Sequence, residues 1–114
     1  MAPPRGPEES GPEDVLERLG AIDRLLEHRV RLAIAVLLSR YDRLSFSRIK
    51  ELTGESDGSL GAHLRRLEDE KYVTVRKEFV DRKPVSWYRL APAGRKALAA
   101  HLDALAGLIK RAEA

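Results

Sequence analysis

Between residues 56 and 67 the chain reads SDGSLGAHLRRL, and its apolar side chains recur at Leu60, Leu64 and Leu67. That is the spacing of one buried helix face. With Leu60 at zero and about 100° per residue, Gly58, Ala62, Arg65 and Arg66 fall on the far side, and Ser59 and His63 on one flank. A glycine inside a helix costs about 1 kcal/mol against alanine, so stability alone does not select Gly58 and Gly61. Small residues followed by arginines on an outward arc describe a helix whose backbone something must approach closely.

The flanking sequence restricts what this helix belongs to. Upstream, Ser45 stands as an N-cap before Phe46, Ile49 and Leu52, and Gly54 stands as a C-cap. Ser56 or Asp57 caps the next helix, which is expected to run to about Lys71. Two short helices joined by a tight glycine-containing turn form a helix-turn-helix. Beyond it the period drops to two: Val73, Val75 and Phe79 alternate with Thr74, Arg76 and Glu78, VDRKP reads as a hairpin tip, and VSWYRL returns as a second strand. Pro92 opens a last helix with Leu98, Leu102, Leu105 and Ile109 along one stripe. Ahead of all this, Val15, Leu16, Leu19, Ile22, Leu25 and Leu26 predict a first amphipathic helix starting at Pro12, and Val30, Ala33, Ile34, Leu37 and Leu38 a second, or the first continued after a bend near His28. Residues 1–12, with four prolines and two glycines, are expected to be a disordered tail. The fold class is therefore mainly α with a small β-hairpin, one domain over residues 13–114.

A chain of 114 residues has room for one core. The absence of cysteine removes disulfides, thiolate zinc sites and thiol redox sensing. No secretory signal and no window of about 18 apolar residues is present, so the sequence reads as cytoplasmic with no membrane contact. Residues 1–27 carry 3 basic and 7 acidic side chains, leaving 18 basic against 11 acidic on residues 28–114. A basic body carrying the motif above suits a polyanionic partner.

A helix entering the major groove of DNA needs small residues where its backbone nears the duplex and donors that reach base edges or phosphates. Its N-terminal amides can also meet a phosphate oxygen. HRVRLAIAVLL, SFSRIKELTG, SDGSLGAHLRRLEDEKYVTV and WYRLAPAGRKAL, in that order and followed by the leucine helix, resemble the small winged-helix transcriptional regulators of bacteria, related in plan to the MarR and ArsR groups. The resemblance spans roughly residues 20–110. It implies that the second helix of the helix-turn-helix reads double-stranded DNA, that the hairpin wing touches backbone or minor groove, and that flanking helices build a homodimer. By position, Ser56, Gly58, Ser59, Ala62, His63, Arg65 and Arg66 would face DNA, with Arg82 and Lys83 at the wing tip. Leu16, Leu19, Leu26, Leu98, Leu102, Leu105 and Ile109 would form the dimer interface.

Competing chemistry finds no support in the spacing. One turn around His63 cannot set nucleophile, base and orienting acid about a substrate, and His28, His63 and His101 lie 35 or more residues apart without a ligand motif. The reading is therefore no catalysis, no metal and no cofactor. Trp87 suits a partly buried core position better than a sugar-stacking or dimer-face one. Glu68, Asp69 and Glu70 would repel phosphate and belong where the helix has left the groove, in i,i+4 pairs with Arg65 and Arg66 or free. The expected function is a sequence-specific DNA-binding regulator, a repressor acting as a homodimer; the alternative is a winged-helix protein–protein adaptor. A small-molecule effector or partner protein that relieves binding stays open, as do the operator and the regulated genes.

Overall fold

The computed structural model describes residues 12–113. The expected tail lies outside the described residues up to position 11, and Pro12 is already the first residue of a helix. The elements in chain order are α1 (Pro12–Gly20), α2 (Arg29–Arg40), β1 (Leu44–Ser45), α3 (Phe46–Thr53), α4 (Asp57–Asp69), β2 (Val73–Val80), β3 (Lys83–Leu90) and α5 (Pro92–Glu113). The three strands form one antiparallel sheet in the order β1-β3-β2. This is a winged helix: helix-turn-helix, hairpin, and three further helices, α1, α2 and α5.

The first helix is shorter than its apolar stripe suggests. It stops at Gly20, and residues 21–28 form turns around Asp23. The Asp23 carboxylate accepts from the amides of Leu25 and Leu26 through Oδ1 and from the Tyr72 hydroxyl through Oδ2. The Asp23 amide donates to Nδ1 of the buried His101 on α5, at 3.0 Å. Asp23 thus ties the turn to α5 and to the α4–β2 junction. His28 then caps α2, its Nδ1 accepting from Val30 N at 3.2 Å.

The core runs through Leu26, Ile34, Leu38, Ile49, Leu60, Leu64, Leu67 and Val73, joined by Leu98 and Leu90. Two of the residues expected at a dimer interface are therefore corrected. Leu26 is 0% exposed and Leu98 4% exposed, because the turn at Asp23 swings Leu26 inward and Leu98 faces the same core. Leu16, Leu19, Leu102 and Ile109 are exposed and Leu105 is half-buried. They sit on α1 and α5, which pack together and are clasped by Arg111 donating to Asp14 at 2.7 Å. Gly107 leaves room for Arg18 to cross α5, since a Cβ there would overlap the arginine side chain.

Candidate nucleic-acid interface

The helix-turn-helix is assembled from caps. Ser45 Oγ accepts from Arg48 N, Gly54 adopts φ 72° in the left-handed region, and Ser56 Oγ accepts from Ser59 N at 3.2 Å. Ser45 starts α3, and Gly54 and Ser56 end it and start α4 two positions apart, which restricts the angle between the helices. Leu60, Leu64 and Leu67 anchor α4 to the core, so its opposite face is turned outward.

On that face Gly58, Ala62, Arg65 and Arg66 are exposed. A Cβ added at Gly58 or Gly61 would meet nothing within 4 Å, so no internal neighbour requires either glycine. Gly94 differs: a Cβ there would overlap the Tyr72 carbonyl oxygen, and close packing alone accounts for that glycine. Arg65 and Arg66 make no ion pair among the described residues, so the i,i+4 pairs with Asp69 and Glu70 are not formed. The cations of α3 are engaged instead, Arg48 with Glu51 at 2.8 Å and Lys50 with Asp57 at 2.9 Å.

Two of the expected contact residues are tied to their own chain. The Ser59 hydroxyl donates to Glu55 Oε2 at 2.6 Å. His63 faces α2: Arg31 Nη1 donates to its Nδ1 at 3.2 Å, and its ring lies 4.4 Å from that of His28. Arg31 is itself buried, its Nε donating to the Leu25 carbonyl at 2.6 Å. Burial first, and then the neighbouring charges of His28 and Arg31, hold the His63 imidazole below its ordinary range. Burial, followed by the Arg66 charge, lowers Arg31 as well.

The proximity of His28 and His63 was invisible in their 35-residue separation. In both rings Nδ1 accepts a hydrogen bond from the chain, from Val30 N and from Arg31. The remaining nitrogen of each neutral ring then carries its proton rather than a free lone pair. Among the described residues no three His, Cys, Asp or Glu side chains are grouped to hold a metal ion.

The wing is the β2–β3 hairpin. Val80 pairs with Lys83 across a two-residue turn in which Asp81 and Arg82 both have positive φ, 51° and 66°. That is the turn geometry matching the twist of the strands. Arg82 and Lys83 are exposed at its end. Two wing side chains depart from the burial that their place in the alternation implies. Phe79, read with Val73 and Val75, is 79% exposed. Trp87 is half-buried beneath the Arg43 guanidinium, 4.0 Å from its ring centroid.

Fold and site together define a winged helix-turn-helix module whose α4 turns a small-residue and arginine face outward beside a cationic wing. Residues 30–109 match the winged helix DNA-binding domain family, and the chain belongs to that family. No curated protein matches it. Among solved structures it is similar to a transcriptional regulator homologue protein from Pyrococcus horikoshii OT3, with 27% identity and a TM-score of 0.75 over 85% of this chain and 94% of that one. It also shares its fold with Sco3205, a MarR family transcriptional regulator from Streptomyces coelicolor solved in complex with DNA. That match has 21% identity and a TM-score of 0.56 over 87% of this chain and 71% of the other. Among the described residues no helix is long and apolar enough to cross a membrane.

Proposed function

We propose that this protein is a cytoplasmic transcriptional regulator that binds duplex DNA sequence-specifically as a homodimer and represses by occupying promoter DNA. The observation that carries the reading is the outer face of α4, with Gly58 and Ala62 exposed beside Arg65 and Arg66, which make no ion pair among the described residues, and Gly61 on its flank. Neither Gly58 nor Gly61 has an internal neighbour that requires a glycine. A major groove admits a helix, and close approach of the backbone lets arginines reach guanine edges or phosphates. Ser56, at the N-terminus of α4, lies where unpaired amides favour a phosphate. The likeness to a transcriptional regulator homologue supports the regulatory role.

The homodimer rests on α1 and α5, where Leu16, Leu19, Leu102 and Ile109 are exposed with Leu105 between them. Covering such a surface on a second copy would place two reading helices on one duplex. The deciding measurement is a salt titration of binding to genomic DNA fragments. A DNA reader loses affinity steeply, with a log–log slope of about −0.9 per phosphate neutralised. A protein–protein adaptor on the same fold would show weak binding at every salt concentration.

A further inference from the structure

The wing carries more than charge. In an antiparallel pair, residues directly opposite share a face of the sheet. On one face the pairs run Val73 with Leu90, Val75 with Tyr88, Lys77 with Ser86 and Phe79 with Pro84. The first two pairs belong to the core or pack against it. Phe79 stands four residues past Val75, about 13 Å further out at strand spacing, and is 79% exposed. The inward face of the hairpin thus continues past the body and ends in an aromatic ring beside a proline.

The surroundings of that ring are cationic. Lys77, Arg82 and Lys83 are exposed and make no ion pair among the described residues. Of the nearby carboxylates, Glu78 lies on the other face and is held by Arg43 at 3.6 Å and Arg76 at 3.5 Å, leaving Asp81 in the turn. The turn is built against local preference. Arg82 sits at φ 66°, where glycine or asparagine is favoured and other residues pay about 1–2 kcal/mol. A hairpin selected only for stability would have glycine at 82 and a polar residue at 79.

We infer that the wing tip is an apolar wedge for the DNA minor groove: Phe79, backed by Pro84, presses between base steps while Arg82 and Lys83 hold the flanking phosphates. Apolar side chains inserted this way unstack a step and bend the duplex, and narrow minor grooves concentrate the negative potential that attracts a cationic rim. A protein partner fits less well, because Phe79 and Pro84 together offer far less than the roughly 800 Å² per side that a stable protein interface buries. The inference rests on the DNA-binding reading and adds to it a residue that deforms DNA.

The test uses a duplex enriched from a random-sequence pool by the full-length wild-type protein, end-labelled for energy transfer and carrying 2-aminopurine at successive flanking steps. The wild type should bend this duplex and raise the fluorescence of one step on each side. Phe79→Ala should retain the melting temperature, lose the bend and the fluorescence rise, and bind about tenfold more weakly. Phe79→Leu, still apolar, should restore much of the bend. Equal bending and fluorescence for wild type and Phe79→Ala would overturn the wedge while leaving DNA binding intact. A change of oligomeric state in Phe79→Ala would overturn it in favour of a contact between copies. Failure of the wild type to enrich any duplex would overturn the DNA reading itself.

Discussion

Arg31 on α2 donates to Nδ1 of His63 on α4. Helix α4 is thereby held to the body by a buried arginine that needs a neutral imidazole as its acceptor. Protonation of His63 removes that lone pair and adds a cation beside Arg31, His28 and Arg66, against the single opposing charge of Glu55. Since the folded state holds His63 below its ordinary pKa, the unfolded chain binds more protons between the two values, and stability there rises with pH. The contribution is complete above about pH 6.5 and is lost as pH falls through the folded value. Melting temperature should decline on acidification through this window. In His63→Gln the decline should be shallower, because the group that titrates in this window is gone.

Asp23 is predicted to be the most sensitive polar residue of the fold. Its carboxylate accepts from two backbone amides and the Tyr72 hydroxyl. Burial and then this hydrogen bond push the Tyr72 hydroxyl up to about 12. Asp23→Ala should cost about 1–3 kcal/mol in urea unfolding, because it orphans several groups, and Tyr72→Phe about 1 kcal/mol. A double-mutant cycle should give a coupling near the smaller of these values.

The same residue explains where the sequence is hard to read. The caps Ser45, Gly54 and Ser56 act within their own segments, so α3 and α4 were legible to within a residue or two, as was the hairpin. The end of α1 was not, since Ile22, Leu25 and Leu26 stay in helical phase and the break depends on His101, which lies 78 residues away and accepts from Asp23. His63 was assigned to the outer flank of α4 for the same reason, its partners being on α2. Phe79 alternates correctly, yet alternation says nothing about where the body ends beneath a hairpin. The two-residue β1 is too short to leave any periodic trace.

Leu16 is 67% exposed on α1 and packs on nothing in its own chain's core. Leu16→Asp should therefore leave the monomer folded and convert a dimer to monomer in sedimentation velocity. The same change should weaken DNA binding, because a dimer doubles the phosphate contacts. A dimer unaffected by Leu16→Asp would place the interface elsewhere.

Arg82 offers a separation of stability from binding. Arg82→Gly relieves the left-handed backbone cost and should stabilise the fold by about 1 kcal/mol. Affinity should nevertheless fall on every sequence alike, since a phosphate contact carries no base information. Replacing both Arg82 and Lys83 with alanine should flatten the log–log salt slope by about 0.9 for each phosphate lost. An effect confined to one sequence class would mean that the wing reads bases.

The glycine and alanine of α4 permit the sharpest test. Gly61 has open space where a Cβ would go, so Gly61→Ala should raise stability by up to about 1 kcal/mol through helix propensity. Ala62 is exposed and faces away from Leu60, Leu64 and Leu67, so Ala62→Leu should also fold normally. If the backbone of α4 lies against a groove, Ala62→Leu must lose DNA binding despite an unchanged melting temperature. Arg66→Ala should act differently: loss of a bidentate guanine contact costs about 1–3 kcal/mol and relaxes preference at one base pair, whereas loss of a phosphate contact weakens all sites equally. Melting temperature and affinity measured together on Ala62→Leu separate the outcomes. A folded variant with full affinity would show that α4 does not enter DNA, and an unfolded one that this face is packed against protein.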